Sequence, residues 1–403
     1  MKVAIIGGGA AGFFSAIAVK ENYPESQVTI YEKTQKLLAK VKVSGGGRCN
    51  VTNGCTSIKE LSEGYPRGGK FMKRALRIFN TTDTMEWFES HGVPLKIEPD
   101  NRVFPKSNDS QSIVDCLLEK AEKLGIKIIM ETGVTGIQPI SEGLQLHFTQ
   151  ELESQIFNKV IVASGGSPKR SSLNWLELLG HKIENPVPSL FTFNIPKNPV
   201  TKLMGLVAER AQVSIQGSRL KAQGPLLITH WGLSGPAVLK LSAFGARWLS
   251  DKKYIFNVQV NWVSEPNSER VMQGLNALAS QHPNKLLPNI RPYQLPDRLW
   301  LFLLDKCELP KSKKWSELGK KGMNKLTNIL TNDIYSVKGK TTFKEEFVTC
   351  GGVSFESIDS NTMQSTACPN LYFAGELMDI DGITGGYNFQ AAWTTAFIAG
   401  KLG

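Results

Sequence analysis

Residues 2–6, Lys-Val-Ala-Ile-Ile, are almost continuously apolar and stop at glycine. An unbroken apolar run of this length suits a parallel strand buried on both faces. Gly7-Gly8-Gly9-Ala10-Ala11-Gly12 follows, and then a small, apolar stretch over 13–21 suited to a helix packed on a sheet. Residues 28–31, Val-Thr-Ile-Tyr, predict a second strand that ends at Glu32. These pieces make a complete βαβ opening.

Further along, 34–54 is polar and glycine-rich, and Ser44 to Asn50 within it reads as a loop. Helices are expected near 70–91 and 110–124. Strands are expected at 126–130, 144–148 and 159–163, the last running into Ser164-Gly165-Gly166. From about 188 the texture changes. Residues 191–195, 210–215, 226–229 and 254–260 read as strands of a separate β-rich unit. Residues 267–335 read as helical and Lys-rich, with prolines at 283, 288, 292, 296 and 310 as breaks. The α/β texture returns near 346, with a buried strand at 370–374 and a closing helix at 389–399. The expected fold class is α/β, with a discontinuous Rossmann-like domain over 1–187 and 346–403. The insertion, 188–345, is expected to be β-rich over 188–265 and mainly helical over 266–345.

Gly7-x-Gly9-x-x-Gly12 lies between the first strand and its helix, and Glu32 follows twenty residues after Gly12. Gly7 permits a tight turn, Gly9 lets the backbone approach a pyrophosphate, and Gly12 lets helix and strand pack closely. The helix N-terminus offers unpaired N–H groups and partial positive charge to phosphates. Glu32 can accept hydrogen bonds from ribose hydroxyls. The motif indicates an ADP-containing dinucleotide without separating FAD from NAD; a glycine turn with no ligand is the plainer alternative.

The C-terminal region bears on that choice. Gly375-Glu376 ends a buried strand, and the segment from Asp379 through Gly385-Gly386-Tyr387-Asn388-Phe389-Gln390 leads into a helix. A carboxylate after a strand can bind ribityl hydroxyls, the glycine pair permits close approach, and Asn388 is expected as the N-cap. A helix N-terminus aimed at a flavin edge that becomes anionic on reduction raises its potential. A capped helix with two turn glycines would read the same way.

The stretches GGGAAG (7–12), KVSGGGRCNVTN (42–53), RVFPKS (102–107), ASGG (163–166), THWGLSGPAVLKLS (229–242), CGGV (350–353) and GELMDIDGITGGYNFQAAW (375–393) span nearly the whole chain. On them the chain resembles the bacterial two-dinucleotide-binding-domain flavoproteins, a group of NAD(P)/FAD-dependent, aminoacetone-oxidase-like oxidoreductases. A flavoprotein of bile-acid dehydroxylation operons is also similar. The resemblance implies an FAD domain of glutathione-reductase type with an insertion. It implies that Ala11, Glu32, Lys33 and Lys40 line the adenosine and phosphates. It places Ser44, Gly45, Gly46, Arg48 and Asn50 around the pyrophosphate and flavin, and the Val134 backbone at the adenine. Ala163, Ser164, Gly165 and Gly375 join the cofactor set, while Glu376, Gly385, Gly386, Asn388 and Phe389 meet the ribityl chain and ring. One departure is the short, basic loop 167–172, where the group carries a longer Gly/Ser/Thr/Asp-rich one; it bears on substrate choice.

Composition then limits the partners. The 403 residues are 41 % hydrophobic, and 47 Lys plus Arg against 36 Asp plus Glu give a formal charge of +11. The basic excess is spread out, densest over 306–325, and reads as a solvated helical face or an interaction patch. The six Cys form no CxxC pair and no zinc spacing, so no metal is expected. Cys49 reads as a small packing residue or a flavin-facing thiol, Arg48 as a phosphate neutraliser or a structural ion-pair partner. His230 reads as a structural histidine or an acid/base, and Tyr387 as packing or as ring contact. Arg67, Lys70, Lys73, Arg74 and Arg77 are read as solvent-exposed. The start is too short for a secretory signal, and no apolar run approaches the ~18 residues of a membrane helix, which leaves a cytoplasmic protein as the expectation.

The expected function is FAD-dependent oxidoreduction on a small-molecule substrate, with hydride passing through flavin N5. NAD(P)H would serve as a transient donor, since no second GxGxxG is present. One rival is a flavin enzyme acting on RNA, suggested by the charge; few aromatics interleave the Lys-rich stretch, with Trp315 nearly alone, so nucleic acid is not the favoured partner. Another is a flavin-binding module without turnover. No catalytic acid or base, and no oligomeric state, emerges from the motifs.

Overall fold

The computed structural model describes residues 1–149, 153–342 and 348–403. The expected boundary at 345/346 lies outside the described residues. The chain divides into two compact units, Met1–Ser189 with Phe343–Gly403, and Leu190–Thr342.

The first unit is built on a five-stranded parallel sheet in the order Leu371–Phe373, Lys159–Val162, Lys2–Ile6, Gln27–Tyr31, Lys127–Ile129. Val3, Ala4 and Ile5 are fully buried, as are Val160, Ile161 and Val162, which is why these segments carry no polar alternation. From the first strand the chain winds outward to one side, then returns to the other side with Lys159–Val162. The order therefore reverses next to Lys2–Ile6, and a crevice opens at the carboxyl ends of the strands there. Helices Ala10–Asn22 and Tyr387–Ala399, both rich in small apolar residues, pack against each other.

Three expectations are corrected. The helix expected over 70–91 is two, Gly69–Ala75 and Thr81–Ser90. Asn80 accepts from the Thr82 and Asp83 amides and Asp83 reaches back, a capping box that starts a new helix. The loop expected over 44–50 overlaps the end of the helical stretch Ala39–Gly47, which is kinked at Ser44, Gly45 and Gly46. The helical texture expected to 335 stops earlier, because Asp333–Lys338 is a strand with alternate residues buried.

The second unit holds a seven-stranded sheet whose neighbouring strands pair antiparallel, including Val207–Ile215, Ile255–Asn261 and Asp333–Lys338. Its core includes Trp262, Trp300 and Trp315, and helices Ser268–Gln281, Asp297–Lys306 and Gly319–Thr331 belong to it. Among the described residues no helix is long and apolar enough to cross a membrane, and no cluster of His, Cys, Asp or Glu could hold a metal ion.

Candidate functional site

The crevice is made of three loops that leave the carboxyl ends of parallel strands and one that closes the helical stretch Ala39–Gly47. The first is 7–12. A Cβ on Gly12 would lie 1.8 Å from the Gly7 carbonyl oxygen, so only glycine lets the helix start this close to the strand. Glu32, at the end of the second strand, accepts from the Gly8 amide at 2.8 Å through Oε2. Its Oε1 accepts from the Thr34 amide and hydroxyl, each at 2.9 Å. Glu32 thus ties the glycine turn to the loop behind it. Lys33 is exposed beside Gly133, and Val134 opens strand Val134–Ile140 just beyond.

The second loop is 44–50. Ser44 donates to the Val41 carbonyl, and Asn50 Oδ1 accepts from the Val103 amide at 3.2 Å. Arg48 donates to Glu98 at 2.8 Å and lies over the Phe104 ring, 3.9 Å from its centroid. Its guanidinium is therefore engaged by an acid and an aromatic face of its own unit. Cys49 is buried, and burial pushes its thiol up to about 12. A thiol so held stays protonated at neutral pH.

The third loop follows Lys159–Val162. Ala163 is buried and donates to the Ile6 carbonyl, while Ser164 and Gly165 continue past the sheet. The fourth is the C-terminal segment. Gly375 packs against Ala11, and its amide donates to the Thr395 hydroxyl at 2.9 Å. Glu376 meets Lys40 at 2.6 Å and accepts from the Thr349 amide at 2.9 Å. Lys40 and Glu376, expected to serve phosphate and ribityl groups, thus face each other across the joined ends of the chain. Gly386 caps helix Tyr387–Ala399 with φ 90°, and a Cβ there would sit 2.2 Å from the Thr52 backbone. The Gly385 carbonyl accepts from Asn53 at 2.9 Å.

Two expectations about this segment change. Asn388 is not the N-cap. It lies inside the first helical turn, and its amide closes on both backbone groups of Gly382, at 2.8 and 3.0 Å. Arg67 is not solvent-exposed: it pairs with the fully buried Asp381, which also accepts from Ser189 at 2.6 Å. Burial raises the Asp381 pKa, and Arg67 and Ser189 pull it back. Tyr387 packs its ring edge-on against Tyr65, and Phe389 stacks on Trp393. His230, in the second unit, is exposed beside Trp231.

Residues that motif reading passed over also hold the tail. Gln390 is buried and accepts from Thr52 and Thr84, and its amide donates to Thr394. Trp393 donates to the Val51 carbonyl at 2.9 Å. No spacing rule joins positions more than 300 residues apart; the only sequence signal is their concentration around Asn50–Asn53 and Gly385–Gln390.

The glycines of these loops leave their backbone open to a ligand. Added Cβ atoms on Gly9, Gly46 and Gly165 would meet nothing within 4 Å, so three loops present bare backbone to open space. Two helix N-termini, whose first amides lack intrahelical partners, add anion-favouring groups.

The comparisons agree with this architecture. The family description "HI0933-like protein Rossmann domain" matches residues 1–402. The chain belongs to the HI0933-like Rossmann family. It is similar to the Clostridium scindens 3-dehydro-bile acid delta(4,6)-reductase, 27 % identical over 99 % of this chain and 98 % of that one. It is similar to the Escherichia coli ribosomal RNA dihydrouridine synthase, 30 % identical over 98 % of this chain and 95 % of that one. Among solved structures, its fold is like that of the 3-ketosteroid-delta4-(5alpha)-dehydrogenase from Rhodococcus jostii RHA1. That likeness has a TM-score of 0.53 at 12 % identity, over 99 % of this chain and 96 % of that one.

Proposed function

We propose that this member of the HI0933-like family is an FAD-dependent oxidoreductase acting on a carbon–carbon double bond conjugated with a carbonyl group. The observation that carries the cofactor is the meeting of both chain ends at the switch point of one parallel sheet, with bare glycines on three loops. The substrate class rests on the relatives. A delta(4,6)-reductase of a 3-dehydro-bile acid and a dihydrouridine synthase both add hydrogen across such a bond.

Gly7, Gly9, Ala11 and Gly12 would hold the pyrophosphate at the first helix, with Lys33 and Val134 beside the adenosine. Glu32 would keep the glycine turn in place while its remaining lone pairs meet ribose hydroxyls. Ser44, Gly45, Gly46 and Asn50 would wrap the middle of the molecule, next to Ala163, Ser164 and Gly165. Lys40 would neutralise phosphate, and Glu376 would accept from the ribityl chain. Gly385, Gly386, Asn388 and Phe389 would meet the ring, where the helix N-terminus stabilises negative charge. Bound FAD supplies hydride exchange with substrate, and NAD(P)H is the proposed transient donor.

The test is direct. The purified protein should carry flavin absorption or regain it on adding FAD. Anaerobic NADH or NADPH should bleach it, and a 3-oxo-4-ene steroid should restore the colour. A protein that takes up no FAD ends this reading. A second reading, the same chemistry on uridine in RNA, is favoured by the +11 charge and by the named synthase. Reoxidation by uridine-containing RNA and not by the enone would establish it.

A further inference from the structure

A cleft of about 870 Å3 lies wholly within the second unit, between strands Val207–Ile215 and Ile255–Asn261 and helices Ser268–Gln281 and Gly319–Thr331. Its chemistry is unlike the rest of this basic chain. Of thirteen lining residues, seven are carboxamides and three carry hydroxyls. At the chain's 21 % share of charged residues, thirteen positions would hold about three charges; Glu269 is the only one, and neither Lys nor Arg is among the described residues lining it. Phosphate and carboxylate ligands therefore lack a counter-charge. Among the described residues no aromatic ring lines the cleft to stack a base, and Met272 and Pro266 are its apolar residues.

The amides are also available. Asn261 is spent on its own backbone, donating to the Glu265 carbonyl at 2.8 Å and accepting from the Val263 amide at 3.1 Å. Gln259 on the sheet, Gln273 on one helix and Asn324 on the other make no side-chain hydrogen bond among the described residues. Each carries two donors and an acceptor on one planar head, the combination that adjacent hydroxyl groups require, because each hydroxyl both gives and takes. The volume lies within the range of small-molecule sites.

We propose that this cleft binds an uncharged sugar, held by Gln259, Gln273 and Asn324 from three walls. The site stands apart from the flavin reading, and its test needs no turnover. Glucose, ribose, maltose and sucrose are each titrated into the full chain by isothermal calorimetry, with saturation-transfer NMR to report contact. At least one should bind with a dissociation constant at or below about 1 mM. Gln259→Leu with Asn324→Leu should weaken that binding at least tenfold while circular dichroism and Tm stay at the parent values. Should the double variant misfold, Gln273→Ala alone carries the test. Three results overturn the proposal: no sugar binding up to about 20 mM, binding unchanged in the variants, or displacement of the sugar by inorganic phosphate.

Discussion

At Gly12 the missing side chain is a geometric demand, since a Cβ would overlap the Gly7 carbonyl. The Gly12→Ala variant should force helix and strand apart, at a cost of about 1–3 kcal/mol, and lower FAD retention at least tenfold; urea unfolding and flavin release after gel filtration measure the two effects. His181 makes a different residue-scale prediction. It is buried, its Nδ1 can only donate to the Leu176 carbonyl at 2.8 Å, and its Nε2 therefore accepts from Ser365 at 2.7 Å. Burial lowers its pKa from 6.5, although the Leu176 bond opposes this. The folded chain then resists a proton that the unfolded chain accepts. Its contribution to stability is present above about pH 6.5 and fades as pH falls toward the lowered folded value. His181→Gln should flatten the dependence of Tm on pH between about 6.5 and 5. Unchanged steepness in that variant would remove His181 as the cause. At this scale the sequence named Glu32 for its position after the second strand, but not its grip on the Gly8 amide, which arises only when two loops meet in space.

At the scale of elements, the segment 64–71 clasps the C-terminal loop. The Ile383 amide donates to the Gly64 carbonyl, Tyr65 donates to the Tyr387 carbonyl, and Arg67 pairs with Asp381. Removing Arg67 would strand a buried carboxylate, a change that costs about 3–5 kcal/mol. The Arg67→Met variant should lose stability of that order at pH 8. Without the guanidinium, Asp381 has a folded pKa raised further above its unfolded value, so the folded state keeps the proton longer. Stability should recover as pH falls toward 5, and Asp381→Asn in the same background should remove the pH dependence. Equal destabilisation at both pH values would show that Asp381 was never the stranded charge. None of this could be read from the chain: Arg67 heads a basic run that resembles a wetted helix face, and its partner lies 314 residues away. A further element-scale consequence concerns Gln390, which accepts from Thr52 and Thr84 in a buried network. Gln390→Leu leaves the buried Thr52 hydroxyl unpaired, while Thr84 keeps its bond to the Asn80 carbonyl; the loss of about 1–3 kcal/mol should register in chemical denaturation.

For the whole molecule, what was legible followed the periodicity of the backbone. The opening βαβ unit showed because continuous apolar runs and a glycine turn are local patterns. The same logic found 159–163 and 370–374, which the structure places as neighbours in the parallel sheet. The break at Asn80 escaped because a capping box is a matter of local hydrogen bonds, not of hydrophobic period. Strand Asp333–Lys338 escaped because its inward residues include Asp333, whose burial is supported by Trp262, Tyr335 and Lys306. The consequence that tests the architecture as a whole is linkage between its two ends. A ligand that binds only the folded chain stabilises it by about 2.7 kcal/mol at one hundred times its dissociation constant. FAD should therefore raise Tm in a concentration-dependent manner. Gly9→Val fills open space at the head and, with no neighbour within 4 Å, should leave the apoprotein Tm close to the parent. Gly386→Ala strains a left-handed cap against Thr52 at the tail and should lower it. Both should lose most of the FAD-dependent increment, because each removes one half of a single crevice. If one variant keeps the full increment, the two ends do not share the ligand.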